Sequence, residues 1–86
     1  MFTVLYRPNG SDEPRIGLAI GKKNCRLSTE RNRLKRIVRE SFRQHRQELG
    51  GVDLVVLNQP AAARASNKAL FESLGSHWSR VSGSDG

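Results

Sequence analysis

Residues 28 to 48, STERNRLKRIVRESFRQHRQE, do most to narrow the folds open to this chain. At about 100° per residue, Leu34, Ile37, Val38, Ser41, Phe42 and His45 share one face of a helix. That face needs a second layer, and 86 residues provide one small domain in which to find it. Three short stretches qualify. "FTVLYR" (2–7) is β-branched and aromatic and reads as a strand. "RIGLAI" (15–20) alternates Ile16, Leu18 and Ile20 with Gly17 and Ala19. One of its faces therefore packs against a helix, and the other is nearly bare backbone. "VDLVVLN" (52–58) is almost continuously apolar, as in a central strand or one covered on both faces.

Turn residues divide these elements. "PNGSDEP" joins the first two strands, which are expected to pair antiparallel. Ser28 or Thr29 is expected to cap the long helix, with Glu30 opposing the dipole in its first turn. Gly50 and Gly51 stop it. Pro60 ends the third strand, and "AAARAS" reads as a linker. Residues 67–81 then place Leu70, Phe71, Leu74, Trp78 and Val81 on one helical face, interrupted by Gly75. The order is β-β-α-β-α, a two-layer α+β sandwich. Residues 1–81 are expected to form a single domain, and residues 82–86 a disordered tail.

The charge is unevenly spread. The formal net charge is +7 and the pI about 10.8, a balance that suits a polyanionic partner. Asn32, Lys35, Arg36, Arg39, Arg43 and Arg46 lie beside the apolar face in a stripe about 100° wide. A solvated helix face usually interleaves acids and bases at i, i+4. Here Glu40 and Glu48 fall outside the stripe, with Glu40 at its border. Stacked like charges cost a few tenths of a kcal/mol per pair, a cost that bound phosphates reverse. Lys22, Lys23 and Arg26 extend the basic surface into the preceding loop. Arg33 lies off the stripe, where it either pairs with Glu30 and Glu40 or binds phosphate elsewhere. Tyr6 is either a stacking platform for an unpaired base or an aromatic at the core edge.

"RNRLKRIVRESFR" (31–43) resembles the signature helix of the bacterial ribonuclease P protein family. "PRIGLAIGKKNCR" and "ELGGVDLVVLN" match that family's strand, Lys-Lys loop and return strand, so the resemblance spans residues 2 to about 81. It implies a fold like that of the second domain of ribosomal protein S5, with a left-handed β-α-β crossover that departs from the general right-handed rule. It also implies a protein that does not cut RNA itself. Such a protein binds a large catalytic RNA and the single-stranded 5′ leader of precursor tRNA, and the RNA with its Mg²⁺ hydrolyses the phosphodiester. On this resemblance Tyr6, Asn32, Lys35, Arg39 and Arg43 would meet the leader. Lys22, Lys23, Arg26, Arg31, Arg33, Arg36 and Arg46 would meet the catalytic RNA. The family's helix and short strand ahead of "FTVLYR" are expected to be missing here, which would leave the first strand as an edge and the leader loosely held.

Other chemistry finds little support in the residues. Cys25 is the only cysteine, so an intrachain disulfide and a thiolate zinc cluster are excluded. His45 and His77 sit among apolar positions without metal-ligand spacing or a triad acid, and both read as structural. No cofactor is expected on protein side chains. The Mg²⁺ would belong to the RNA subunit. No apolar run reaches the roughly 18 to 20 residues of a membrane span, and no signal peptide is evident. The expected setting is cytoplasmic, with catalytic RNA and precursor tRNA as partners and no membrane or obligate protein partner. A DNA-reading helix would favour a dimerisation element, which is lacking. A ribosomal-type structural RNA-binding protein remains the alternative, separated by its lack of selectivity for precursor over mature tRNA.

Overall fold

The computed structural model describes residues 2–23 and 25–83. Its elements are β1 (Phe2–Pro8), β2 (Arg15–Ala19), α1 (Ser28–Leu49), β3 (Val52–Asn58), a 3₁₀ helix (Pro60–Arg64) and α2 (Asn67–Gly83). The sheet order is β1-β3-β2. β3 runs antiparallel to β1 and parallel to β2, so α1 is the crossover between two adjacent parallel strands. This corrects the expected β1–β2 hairpin. The most apolar strand takes the centre, where both of its edges are bonded, and the two less apolar strands flank it.

Register and alternation give the sheet two unlike faces. Phe2, Val4 and Tyr6 of β1 stand opposite Asn58, Val56 and Leu54, while Ile16 and Leu18 pair with Leu54 and Val56. These residues face the helices. Leu34, Ile37, Val38 and Leu49 of α1 and Leu70, Leu74, Trp78 and Val81 of α2 complete the core on that side. The Trp78 indole donates to Ser41 Oγ at 2.8 Å within this core, and its ring meets Phe42 edge-on. A hydroxyl on the apolar face of α1 is thereby accounted for. The opposite sheet face carries Leu5, Arg7, Arg15, Gly17, Asp53 and Val55, and Leu5 and Val55 are 57% and 41% exposed.

The ends of α1 are fixed by backbone geometry. Leu27, not Ser28 or Thr29, is the cap residue, and it has an extended backbone with no side-chain capping bond. The Arg31 guanidinium instead donates to the Cys25 and Arg26 carbonyls at 3.0 and 2.8 Å, which fixes the entering chain and starts the helix at Ser28. At the other end Gly50 adopts φ +65°, open to glycine at little cost. A Cβ on Gly51 would collide with the Ser11 carbonyl, so the β1–β2 turn can close onto the start of β3 only at a glycine. The expected linker at 61–66 is mostly the 3₁₀ helix, with Ala62 fully buried. Ser66 accepts from the Ala69 amide and caps α2, which runs two residues past its expected end; residues 84–86 of the expected tail lie outside the described residues.

Candidate nucleic-acid interface

The basic residues of α1 fall into two groups. Asn32, Lys35, Arg36, Arg39 and Arg43 line a shallow groove of about 440 Å³ along the solvent side of the helix. Five of the six residues of the stripe read from the sequence therefore share one groove; Arg46 does not line it, and Glu40 does. Among the described residues Lys35, Arg36 and Arg39 have no ion pair and no side-chain hydrogen bond. Three cations on adjacent turns of a rigid helix make a linear array that suits successive phosphates.

One correction concerns Glu40. It lines the same groove, and its carboxylate holds Arg43 at 2.7 Å, because residues three apart on a helix are neighbours. Arg46 turns away from the stripe and pairs with Glu13 of the β1–β2 turn at 3.3 Å. Both pairs are exposed, so each is worth little and a phosphate can displace the acid.

The second group is engaged inside the fold. Arg33 pairs with Glu30 at 3.0 Å, donates to Asn67 Oδ1 at 2.7 Å, and reaches the Ala63 and Ala65 carbonyls at 3.3 and 3.4 Å. It therefore ties α1 to the 3₁₀ helix and to the start of α2. Of the two readings left open by the sequence, pairing with Glu30 is the one realised; Glu40 goes to Arg43. Arg31 is held by the two loop carbonyls already described. Lys22 and Lys23 are exposed in the turn after β2, and Arg26 is exposed just before α1. None of these three has a side-chain partner among the described residues.

Tyr6 faces the helix layer but is 45% exposed, and it does not share the α1 groove. It lines a separate concavity between β1 and α2 with His77 and Arg80. Sequence reading missed these α2 residues as neighbours of Tyr6. Arg80, basic and just off the apolar face, was the only available sign. Burial, and next the charge of Arg80, lower the His77 pKa from 6.5, while a backbone hydrogen bond with Phe2 opposes them. His45 Nδ1 lies 2.9 Å from the Ser41 carbonyl one turn earlier, in keeping with a structural role. Among the described residues no three of His, Cys, Asp and Glu come together as metal ligands, and no helix is long and apolar enough to cross a membrane.

Comparison with known proteins places the chain in a family. The family model described as Ribonuclease P matches residues 1–82. The ribonuclease P protein component of Thioalkalivibrio sulfidiphilus is 49% identical over 81 residues, covering 94% of this chain and 68% of the relative. That of Nitrosococcus oceani is 51% identical over 77 residues, covering 90% and 65% respectively. The chain thus spans about two thirds of the length of these relatives. Among solved structures, the ribonuclease P protein of Thermotoga maritima superposes with a TM-score of 0.83 at 34% identity, covering 92% of this chain and 78% of that one. The signature helix, the three-stranded sheet and the matched residues 1–82 lead to one assignment: the chain belongs to the ribonuclease P protein family.

Proposed function

We propose that this chain serves as the protein subunit of ribonuclease P, binding the catalytic RNA and the 5′ leader of precursor tRNA. The observation that carries the reading is the row of unpaired Lys35, Arg36 and Arg39 beside Asn32 on one helix. Cations fixed on a rigid rod bind a phosphate chain without first paying to order it. The leader lies along this groove, with Arg43 joining once a phosphate displaces Glu40. The catalytic RNA meets the Lys22, Lys23 and Arg26 end, where free cations sit at the entry to α1. Arg31 and Arg33 support that surface by fixing its shape, and Arg36 sits between the two RNA contacts. In this reading the protein adds no group to the hydrolysis; the RNA and its Mg²⁺ perform it. The protein's cations lessen repulsion between two polyanions, so less Mg²⁺ is needed to bring them together.

Reconstitution with a bacterial catalytic RNA at low Mg²⁺ tests this. The chain should restore precursor cleavage that the RNA alone does not achieve, and should leave precursor intact by itself. It should also show a modest, leader-dependent preference for precursor over mature tRNA. Cleavage by RNA-free protein would overturn the subunit reading. Equal affinity for the two tRNAs would overturn leader binding and favour a structural RNA-binding role.

A further inference from the structure

The α1 groove is lined by five side chains that donate to an anion and by one that repels it, the Glu40 carboxylate. At about 100° per residue, Lys35 and Glu40 lie at its two edges, with Arg39, Arg43 and Arg36 between them. The groove is therefore polarised across its width as well as charged along its length. Glu40 Oε2 holds Arg43 at 2.7 Å, while Oε1 has no partner among the described residues and the side chain is 45% exposed. Along the helix axis Glu40 sits about 1.5 Å beyond Arg39 and about 4.5 Å short of Arg43. A carboxylate only accepts hydrogen bonds, and its charge refuses a phosphate at that level. A strand with phosphates on both Arg39 and Arg43 thus brings its intervening sugar to Glu40. Ribose offers a 2′-hydroxyl donor there, and deoxyribose offers none.

We infer that Glu40 is a specificity-determining residue, which accepts a hydrogen bond from a 2′-hydroxyl of the bound strand and makes the groove select RNA over DNA. The inference rests on the RNA-binding function proposed above and deepens it, since the cations alone attract the phosphates of either polymer. When a phosphate takes Arg43, the released carboxylate turns to the sugar beside it. With ribose it regains a hydrogen bond in place of the lost ion pair. With deoxyribose it faces a polyanion and has no donor to satisfy it, so the complex is weakened. The competing role for Glu40 is purely local, an i, i+3 partner that steadies Arg43 on the exposed helix.

Anisotropy of fluorescent eight-nucleotide strands bound to the full chain separates these roles. Oligouridylate, oligodeoxyuridylate and 2′-O-methyl oligouridylate carry the same bases and phosphates, and only the first has a 2′-hydroxyl donor. The parent should bind oligouridylate about three- to tenfold more tightly than the other two, the effect of one charge-assisted hydrogen bond at a half-exposed site. Glu40→Ala should tighten binding of the two strands that lack the donor and bring all three within about twofold of one another. Glu40→Gln keeps an acceptor oxygen without the charge and should retain part of the preference. Arg43→Gln should weaken all three by a common factor and leave the preference in place. Equal affinity of the parent for the three strands overturns the assignment. So does a Glu40→Ala chain that gains affinity for all three alike and keeps the parent's preference, as a mere counter-ion of Arg43 would. If the parent shows no salt-dependent binding to any strand and Lys35→Ala changes nothing, the RNA-binding reading itself fails and the assignment with it.

Discussion

The first turns of α1 and its middle contain the same kinds of residue and use them differently. At the start, Arg31 and Arg33 spend their guanidinium donors on loop carbonyls, Glu30 and Asn67. In the middle, Lys35, Arg36 and Arg39 have no partner among the described residues. The distinction comes from what packs beside each turn. The 3₁₀ helix and the residues after it bring the Ala63 and Ala65 carbonyls and the Asn67 side chain to Arg33, whereas no acceptor reaches the side chains of Lys35, Arg36 and Arg39 among the described residues. A basic motif on one helix is thus part fastening and part a row of unpaired cations. The two parts should separate under mutation.

The sharpest way to break this contrast is Arg33→Ala. It removes one ion pair and the bonds to three other partners, so unfolding by denaturant should show a loss of about 2–3 kcal/mol. A stability unchanged within error would mean that the fastening is incidental and Arg33 is free to meet RNA. The converse change replaces Lys35, Arg36 and Arg39 together by Ala. The fold should keep its stability or gain a few tenths of a kcal/mol from relieved repulsion. The salt dependence of RNA binding should flatten by about two, at about 0.7 for each lost contact. Filter binding at several salt concentrations provides the measurement, and a preserved slope would remove the middle of α1 from the interface.

A smaller effect sharpens the same contrast. Gly75 lies inside α2, and a Cβ there would meet nothing within 4 Å. Gly75→Ala should therefore stabilise the fold by about 0.5–1 kcal/mol. Its RNA affinity should not move, a control showing that stability and binding are separable; thermal melts and the same binding assay report both. The smallest expected effect concerns pH. The His77 pKa is lowered in the fold, so the unfolded chain takes up the proton more readily. The stability due to neutral His77 is present above about 6.5 and is lost as pH falls from there through the folded-state value. Melting temperature should decline over that window, and less so in His77→Gln. Contacts made by Lys35, Arg36 and Arg39 should hold through the same range, since these residues line a different groove from His77. A loss of RNA affinity that tracks the His77 window in chains that stay folded would assign binding to the β1–α2 groove instead.

Much of this molecule is written in local pattern. A 3.6-residue period put Leu34, Ile37, Val38 and Ser41 on one buried face and the cations beside it, because helix geometry fixes which side chains are neighbours. Alternation in "RIGLAI" predicted its two unlike faces, and the Gly-Gly pair marked the end of α1. Strand order was not legible, because the pattern of a strand does not name its partner. The turn after β1 looked like a hairpin, yet β3 inserts between β1 and β2.

The sequence by itself therefore determined that a long basic helix must lie on a small sheet, and which of its faces would be bare. Folding alone decided which cations remain available. Arg33 acquires its Ala63, Ala65 and Asn67 partners from residues thirty or more positions away, and Tyr6 acquires Arg80 as a groove neighbour from the far end of the chain. Helical and strand periods follow from the backbone of each segment. The partners of a long side chain depend on which distant segments the packed core brings within its reach, and no local period records that.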